Sequence, residues 1–201
     1  MKLHILPPSP NSVKTRLANR LMGGVAKEVT VDVSTGAHKE AGFLSLNPNG
    51  RLPVLELEDG STLWESNAIT NRICAEGDTP LWPKSNQRYD IMRWQFWEAC
   101  HWTPACQPFL AYHVFGNTEV ELEPATVKFR EFAAVLDGHL AGRSWLSGEA
   151  MTAADLVAAP ILAYSGPCQY PLEGFGNIAR WFAQIEALEA WAEVNPLSQS
   201  G

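Results

Sequence analysis

No stretch of this sequence stays apolar for the roughly 20 residues a bilayer-crossing helix needs, so no membrane span is expected. Basic residues are few and scattered. Fifteen Lys and Arg stand against 22 acidic residues, a formal net charge of -7 without a basic cluster, which excludes nucleic acid and anionic membranes as expected partners. An acidic surface still permits a local positive site for a small anionic ligand. Cysteine is sparse: Cys74, Cys100, Cys106 and Cys168 form no C-x-x-C pair. The first residues lack the charged-then-apolar pattern of a leader, so the expected setting is the reducing cytoplasm, with mostly buried thiols. Charged residues make up only 18% against 46% hydrophobic, which argues against disorder and for a substantial core.

What is present divides into two styles of patterning. Residues 2–6 alternate as a strand and are cut by Pro7 and Pro8. Val13, Leu17 and Leu21 mark an amphipathic helix over Ser12 to Met22, stopped by Gly23-Gly24. The β-branched run Glu28 to Val33 reads as a second strand, so the opening is strand–helix–strand, favouring a parallel pair. Pro53 to Leu57 and Thr62 to Trp64, joined across Asp59-Gly60, predict an antiparallel hairpin, and Ser66 opens a helix carrying Ile69 and Ile73. This βαβ-then-ββα order is that of a thioredoxin-like layer. The expected domains are an α/β thioredoxin-like unit over 1–78, a breaker-rich linker over 79–87 and an all-α helical bundle over 88–201.

In the second part a helix is expected over 86–103, with Ile91, Trp94 and Trp97 on its apolar side; Pro104 and Pro108 interrupt or kink the chain beyond it. Pro124 suits the first turn of another helix. Thr152-Ala153-Ala154-Asp155 has the capping-box form, which makes Asp155 a structural residue. Residues 176–192 again show helical spacing, through Ile178, Trp181, Phe182, Ile185 and Leu188, and Gly116 to Glu119 reads as a loop.

The segment Leu46-Asn47-Pro48-Asn49-Gly50-Arg51-Leu52-Pro53-Val54-Leu55, then Asp59-Gly60, then Glu65-Ser66-Asn67-Ala68-Ile69, resembles the glutathione transferase family, in order and in spacing. Ser9-Pro10-Asn11-Ser12, the 152–155 box and the late helix around Asn177 to Leu188 agree, so the resemblance covers nearly the whole chain. It implies glutathione as co-substrate. In the family the bond before the matching proline, here Leu52-Pro53, is cis and presents the backbone of the preceding residue to the peptide-like ligand, a form of strand addition. Glu65 suits the ammonium of the γ-glutamyl end, and Ser66 with the first free N–H groups of its helix suits the carboxylate. Lys39, Lys14 or His38 suits the glycyl carboxylate.

Activating the thiol needs donors near the sulfur. Glutathione's thiol, like free cysteine, ionises near pH 8.5, and lowering that by about 2 units takes roughly 3 kcal/mol of thiolate stabilisation. Helix-start donors can supply it. Ser9, Asn11 and Ser12 are the candidates, and Ser9 falls where serine-type members of the family keep the active hydroxyl. The tyrosine-type site is absent, since His4 and Ile5 stand there, and no cysteine precedes Cys74, which disfavours thiol–disulfide chemistry.

A pocket for a small hydrophobic electrophile is expected to include Trp102, Cys106, Phe109, Tyr112 and His113, an aromatic, proline-kinked stretch. No metal site is expected, because neighbouring positions 100 and 101 diverge on a helix. The resemblance further implies a homodimer. Two rivals to conjugation stay open: another glutathione-dependent activity (peroxidase, disulfide-bond reductase, isomerase or dehalogenase), and a non-catalytic interaction module on the same fold.

Overall fold

The computed structural model describes residues 1–197. The last four residues of the expected helical domain, 198–201, lie outside the described residues. The chain forms two compact units, one of residues 1–82 with the C-terminal segment from Ala190, the other of residues 83–189.

The first unit is built on a four-stranded sheet of order β2-β1-β3-β4. β1 (Lys2–Ile5) pairs in parallel with β2 (Lys27–Thr30), and antiparallel with β3 (Val54–Glu56), which pairs antiparallel with β4 (Thr62–Trp64). Period-two alternation puts Leu3, Ile5 and Leu55 on one covered face, while Val54, paired with His4 on the other face, is buried as well. α1 (Pro10–Leu21) crosses over between the parallel strands and α3 (Ser66–Cys74) follows the hairpin. Val13, Leu17, Ile69 and Ile73 are inaccessible, the helical contribution to this core. β2 stops at Thr30, short of the expected Val33: the Asp32 carboxylate accepts the Ser34 N–H at 2.9 Å and turns the chain away. A 3₁₀ turn (Ala37–Lys39) and α2 (Ala41–Leu46) occupy a stretch whose composition carries no clear period.

The second unit is helical. α4 (Gln87–Trp97) runs into a π turn (Glu98–Trp102), then α5 (Thr103–Phe109) and a second π turn (Leu110–Val114). The expected interruption at Pro104 and Pro108 does not occur. Pro104 sits in the first turn of α5, where the missing N–H costs little, and the wide turns flank the segment holding both rings. α6 (Leu122–Leu140) has Pro124 in its first turn. α7 (Ala153–Ala158) carries the expected capping box, with Thr152 and Asp155 reciprocating. After a 3₁₀ turn (Pro160–Tyr164) and the short α8 (Ser165–Cys168), the late helix divides into α9 (Gly176–Glu186) and α10 (Glu189–Val194). The single helix expected over 176–192 is therefore two. The second packs with the first unit through buried Trp191 and Val194 and an Arg20–Glu193 ion pair of 2.8 Å.

Candidate functional site

β1 ends at Ile5 and the chain turns through Pro7-Pro8 into α1. Ser9 is the residue before the helix, in extended conformation, and its side chain makes no capping bond. Its N–H donates to the Leu6 carbonyl at 2.9 Å, fixing the half-buried hydroxyl at the positive end of the helix dipole. Pro10 follows, pre-set for a first helical position. Asn11 is exposed. Ser12 is not: it is buried, and its hydroxyl accepts the Leu6 N–H at 3.1 Å. Lys14 is also buried.

A second helix start reaches the first. Glu65, ahead of α3, holds a positive φ of 73°, a sparsely populated conformation for a residue with a side chain, and gives α3 no side-chain cap. The Glu65 carboxylate therefore does not occupy the electropositive start of α3. Ser66 opens the helix and donates its hydroxyl to Asn11 Oδ1 at 3.3 Å. Its own carbonyl accepts the Thr70 hydroxyl at 2.8 Å.

The third side is the loop before β3. The Leu52-Pro53 bond is cis, with Pro53 buried and Leu52 half-buried. Asn47 organises this loop. Buried itself, it donates from Nδ2 to the Arg51 carbonyl at 2.9 Å, accepts the Asn49 N–H at 3.0 Å on its side chain, and accepts the Gly50 N–H at 2.9 Å on its carbonyl. Asn47 stood in the sequence only as one letter of a motif; its signal was the Asx-turn chemistry of Asn before Pro and Gly. Lys39 Nζ donates to the Gly50 carbonyl at 3.1 Å, which holds the lysine beside the loop with donors to spare. Gly50 has φ of 57°, and a Cβ there would lie 2.7 Å from Lys39 Nζ and 2.9 Å from the His38 carbonyl, so only glycine allows this approach. Ser9, Asn11, Lys39, Leu52, Pro53, Glu65 and Ser66 therefore all belong to the first unit.

The residues expected to line an electrophile pocket lie in the second unit, and they divide. Trp102, Cys106 and Phe109 are interior side chains with no surface to offer. Trp102 donates its indole N–H to the Ala158 carbonyl at 3.2 Å and packs on Phe129 at 5.0 Å between ring centres; Phe109 meets Phe129 and Tyr170 edge-on. Burial pushes the Cys106 thiol well above its ordinary range. Tyr112 and His113 are half-buried. Helical spacing in a proline-kinked segment did not distinguish an inward face from a pocket wall. A cavity of about 360 Å³ in this unit is lined by others, among them Cys100, His101, Pro104, Lys128 and Phe132. Among the described residues no helix is long and apolar enough to cross a membrane, and no three His, Cys, Asp or Glu side chains are grouped to hold a metal.

Residues 8–76 match the family model of the glutathione S-transferase N-terminal domain, and residues 95–189 that of the glutathione S-transferase C-terminal domain. Glutathione S-transferase 3 of Zea mays is 31% identical over 77% of this chain and 73% of its own length. Cytoplasmic methionine–tRNA ligase of Xenopus laevis is 31% identical over 94% of this chain, but over only 20% of that much longer protein. Among solved structures, a glutathione S-transferase from Xanthobacter autotrophicus Py2 superposes with a TM-score of 0.86 at 27% identity, covering 98% of both chains. With a thioredoxin-like sheet unit, a helical unit, and two family models matching them in order, this chain belongs to the glutathione S-transferase family.

Proposed function

We propose that the protein is a glutathione transferase that binds glutathione on its first unit and ionises the thiol for attack on a small hydrophobic electrophile. The observation that carries this reading is the meeting of two helix starts: Ser9 and Asn11 open α1, Glu65 and Ser66 open α3, and a hydrogen bond of 3.3 Å joins Asn11 to Ser66. Both ends are electropositive. The start of α3 takes the γ-glutamyl carboxylate, with Ser66 donating and Glu65 receiving the ammonium. The positive φ at Glu65 supports a functional role, because such a conformation costs about 1–3 kcal/mol and persists where the surroundings enforce it. Leu52 offers its backbone to the peptide portion, and Lys39 pairs with the glycyl carboxylate.

At the other end the Ser9 hydroxyl donates to the sulfur. The thiol proton leaves to solvent, the thiolate forms a carbon–sulfur bond with the electrophile, and the leaving group departs with the displaced electron pair. The site supplies orientation and a lowered thiol pKa. Tyr112 and His113, which keep some exposed surface, remain in this reading as residues toward the electrophile. A cytoplasmic homodimer active in detoxification completes it, with 79–87 as the linker. Exposed Tyr89, Met92 and Phe96 on α4, and Val127 and Val135 on α6, support an apolar association surface.

One observation favours a second reading, a non-catalytic module: the similarity to a stretch of methionine–tRNA ligase spans 94% of this chain. Glutathione titration followed by the ultraviolet absorbance of the thiolate separates the two. The transferase reading expects wild type to bind and ionise glutathione at neutral pH, and Ser9→Ala to bind without ionising it. No glutathione binding by wild type rejects the transferase and leaves the module. Binding with turnover of a hydroperoxide or small disulfide, and no conjugation, favours another glutathione-dependent activity.

A further inference from the structure

We propose that Asn11 is a positioning residue: it holds the Ser66 hydroxyl for the γ-glutamyl carboxylate and acts at that end of glutathione, not on the sulfur. The inference rests on the glutathione reading above. Its basis is the bond from Ser66 Oγ to Asn11 Oδ1, 3.3 Å long and joining residues 55 apart in sequence. Asn11 is exposed, so no packing requirement explains where its side chain points. Glu65 makes no side-chain cap on α3, so its carboxylate does not compete for the helix start that Ser66 opens.

A serine hydroxyl has one proton. Without ligand, Ser66 donates it to the Asn11 carbonyl oxygen at 3.3 Å, a shorter reach than the 3.5 Å to its neighbour Asn67 Oδ1. When a carboxylate arrives at the start of α3 and takes that proton, the Asn11 amide can turn and donate an N–H to the lone pair left on Ser66 Oγ. An amide serves both states because it carries donor and acceptor on one rigid group. Alanine serves neither. Aspartate serves only the first, and then sets a negative charge facing the incoming carboxylate.

The test is a double-mutant cycle on glutathione affinity, with Asn11→Ala, Ser66→Ala and the double variant, alongside Asn11→Asp. The pKa of the bound thiol is read in wild type and Asn11→Ala from thiolate absorbance. The expected result is a loss of about fivefold for Asn11→Ala, a larger loss for Asn11→Asp, and a double variant little weaker than Ser66→Ala alone. The bound thiol pKa in Asn11→Ala stays where it is in wild type, and KM rises with kcat nearly unchanged. Thermal melting of each variant shows that the fold is intact, as exposure of Asn11 leads one to expect. If the two single losses multiply in the double variant, Asn11 and Ser66 act independently and the proposal fails while glutathione binding stands. If Asn11→Ala raises the bound thiol pKa by a unit or more, Asn11 acts on the sulfur and the proposal fails. If wild type binds no glutathione, the transferase reading itself falls and takes this one with it.

Discussion

The Ser12 hydroxyl accepts the backbone N–H of Leu6 at 3.1 Å and thereby closes the turn that carries the chain from β1 into α1. That single bond separates two serines that look interchangeable in sequence. Ser12 is buried and committed to the backbone, whereas Ser9 stands at the helix start with a side chain free of capping duty. Ser12→Ala strands a part-buried N–H and is expected to cost about 1 kcal/mol of stability, with glutathione still ionised. Ser9→Ala is expected to do the reverse. Urea unfolding and thiolate absorbance, measured on both variants, check the pair. Loss of ionisation in Ser12→Ala at unchanged stability would reverse the assignment.

Much of this was legible in the letters. The strand–helix–strand opening, the Asp59-Gly60 hairpin and the Thr152–Asp155 box follow from local rules that need no tertiary information, and all three are present. What local rules cannot see is which way a side chain faces once a helix is packed. Trp102, Cys106 and Phe109 have the same apolar character whether they line a pocket or fill a core, and only the arrival of Phe129, Tyr170 and the Ala158 carbonyl decides it. The π turns around Pro104 and Pro108 escaped for a similar reason: neighbouring helices hold together a segment that proline would break in isolation. In the site, the motif pointed to Leu52 and Pro53, but the organising role of Asn47 depends on hydrogen bonds that a motif does not list.

Asp155 is the most heavily satisfied carboxylate described in the second unit. It accepts the Leu146 and Thr152 N–H groups at 2.9 and 2.8 Å and the Trp181 indole N–H at 2.9 Å, with no exposed surface. Asp155→Ala leaves those three buried donors without an acceptor. At about 1–3 kcal/mol for each orphaned group, the loss reaches a large share of the roughly 5–15 kcal/mol that typically holds a protein folded. The expected outcome is a variant that is mostly insoluble or melts far below wild type. Trp181→Phe removes one donor only, and is expected to cost a small fraction of that in the same urea titration. Equal stabilities for Asp155→Ala and wild type would remove Asp155 from the framework.

His139 supplies a pH dependence with a definite sign. Its Nε2 lies 2.9 Å from the Leu146 carbonyl and so carries the proton, and its ring lies 4.5 Å from Trp94 between centres. Burial, helped by the charges of Arg143 and Arg93 and opposed by the Leu146 carbonyl and Asp90, holds its pKa below the ordinary 6.5. The fold therefore prefers the neutral ring. The stability this gives is present above pH 6.5 and is lost as pH falls from there through the lower folded value. Glu56, paired with Lys2 and His4, has a lowered pKa and adds its own loss only below its ordinary 4.5. Between those two values the melting temperature of wild type is expected to decline more steeply than that of His139→Gln. Parallel declines in the two proteins would sink the assignment.

The four thiols give a count that tests the packing of both units at once. Cys100 is exposed, while Cys74, Cys106 and Cys168 are buried. Burial pushes the Cys74 thiol up to about 12 and raises Cys106 and Cys168 as well, so none of the three offers thiolate or access near neutral pH. A chromogenic disulfide reagent is expected to titrate one equivalent rapidly in the native protein and four after unfolding, with the rapid one lost in Cys100→Ser. A second rapid equivalent would mean that Cys74, Cys106 or Cys168 reaches solvent, and would overturn the burial assigned to that core. A single one is Cys100 of the second unit; since no cysteine precedes Cys74, the nucleophile of the proposed chemistry at the start of α1 has to come from bound glutathione.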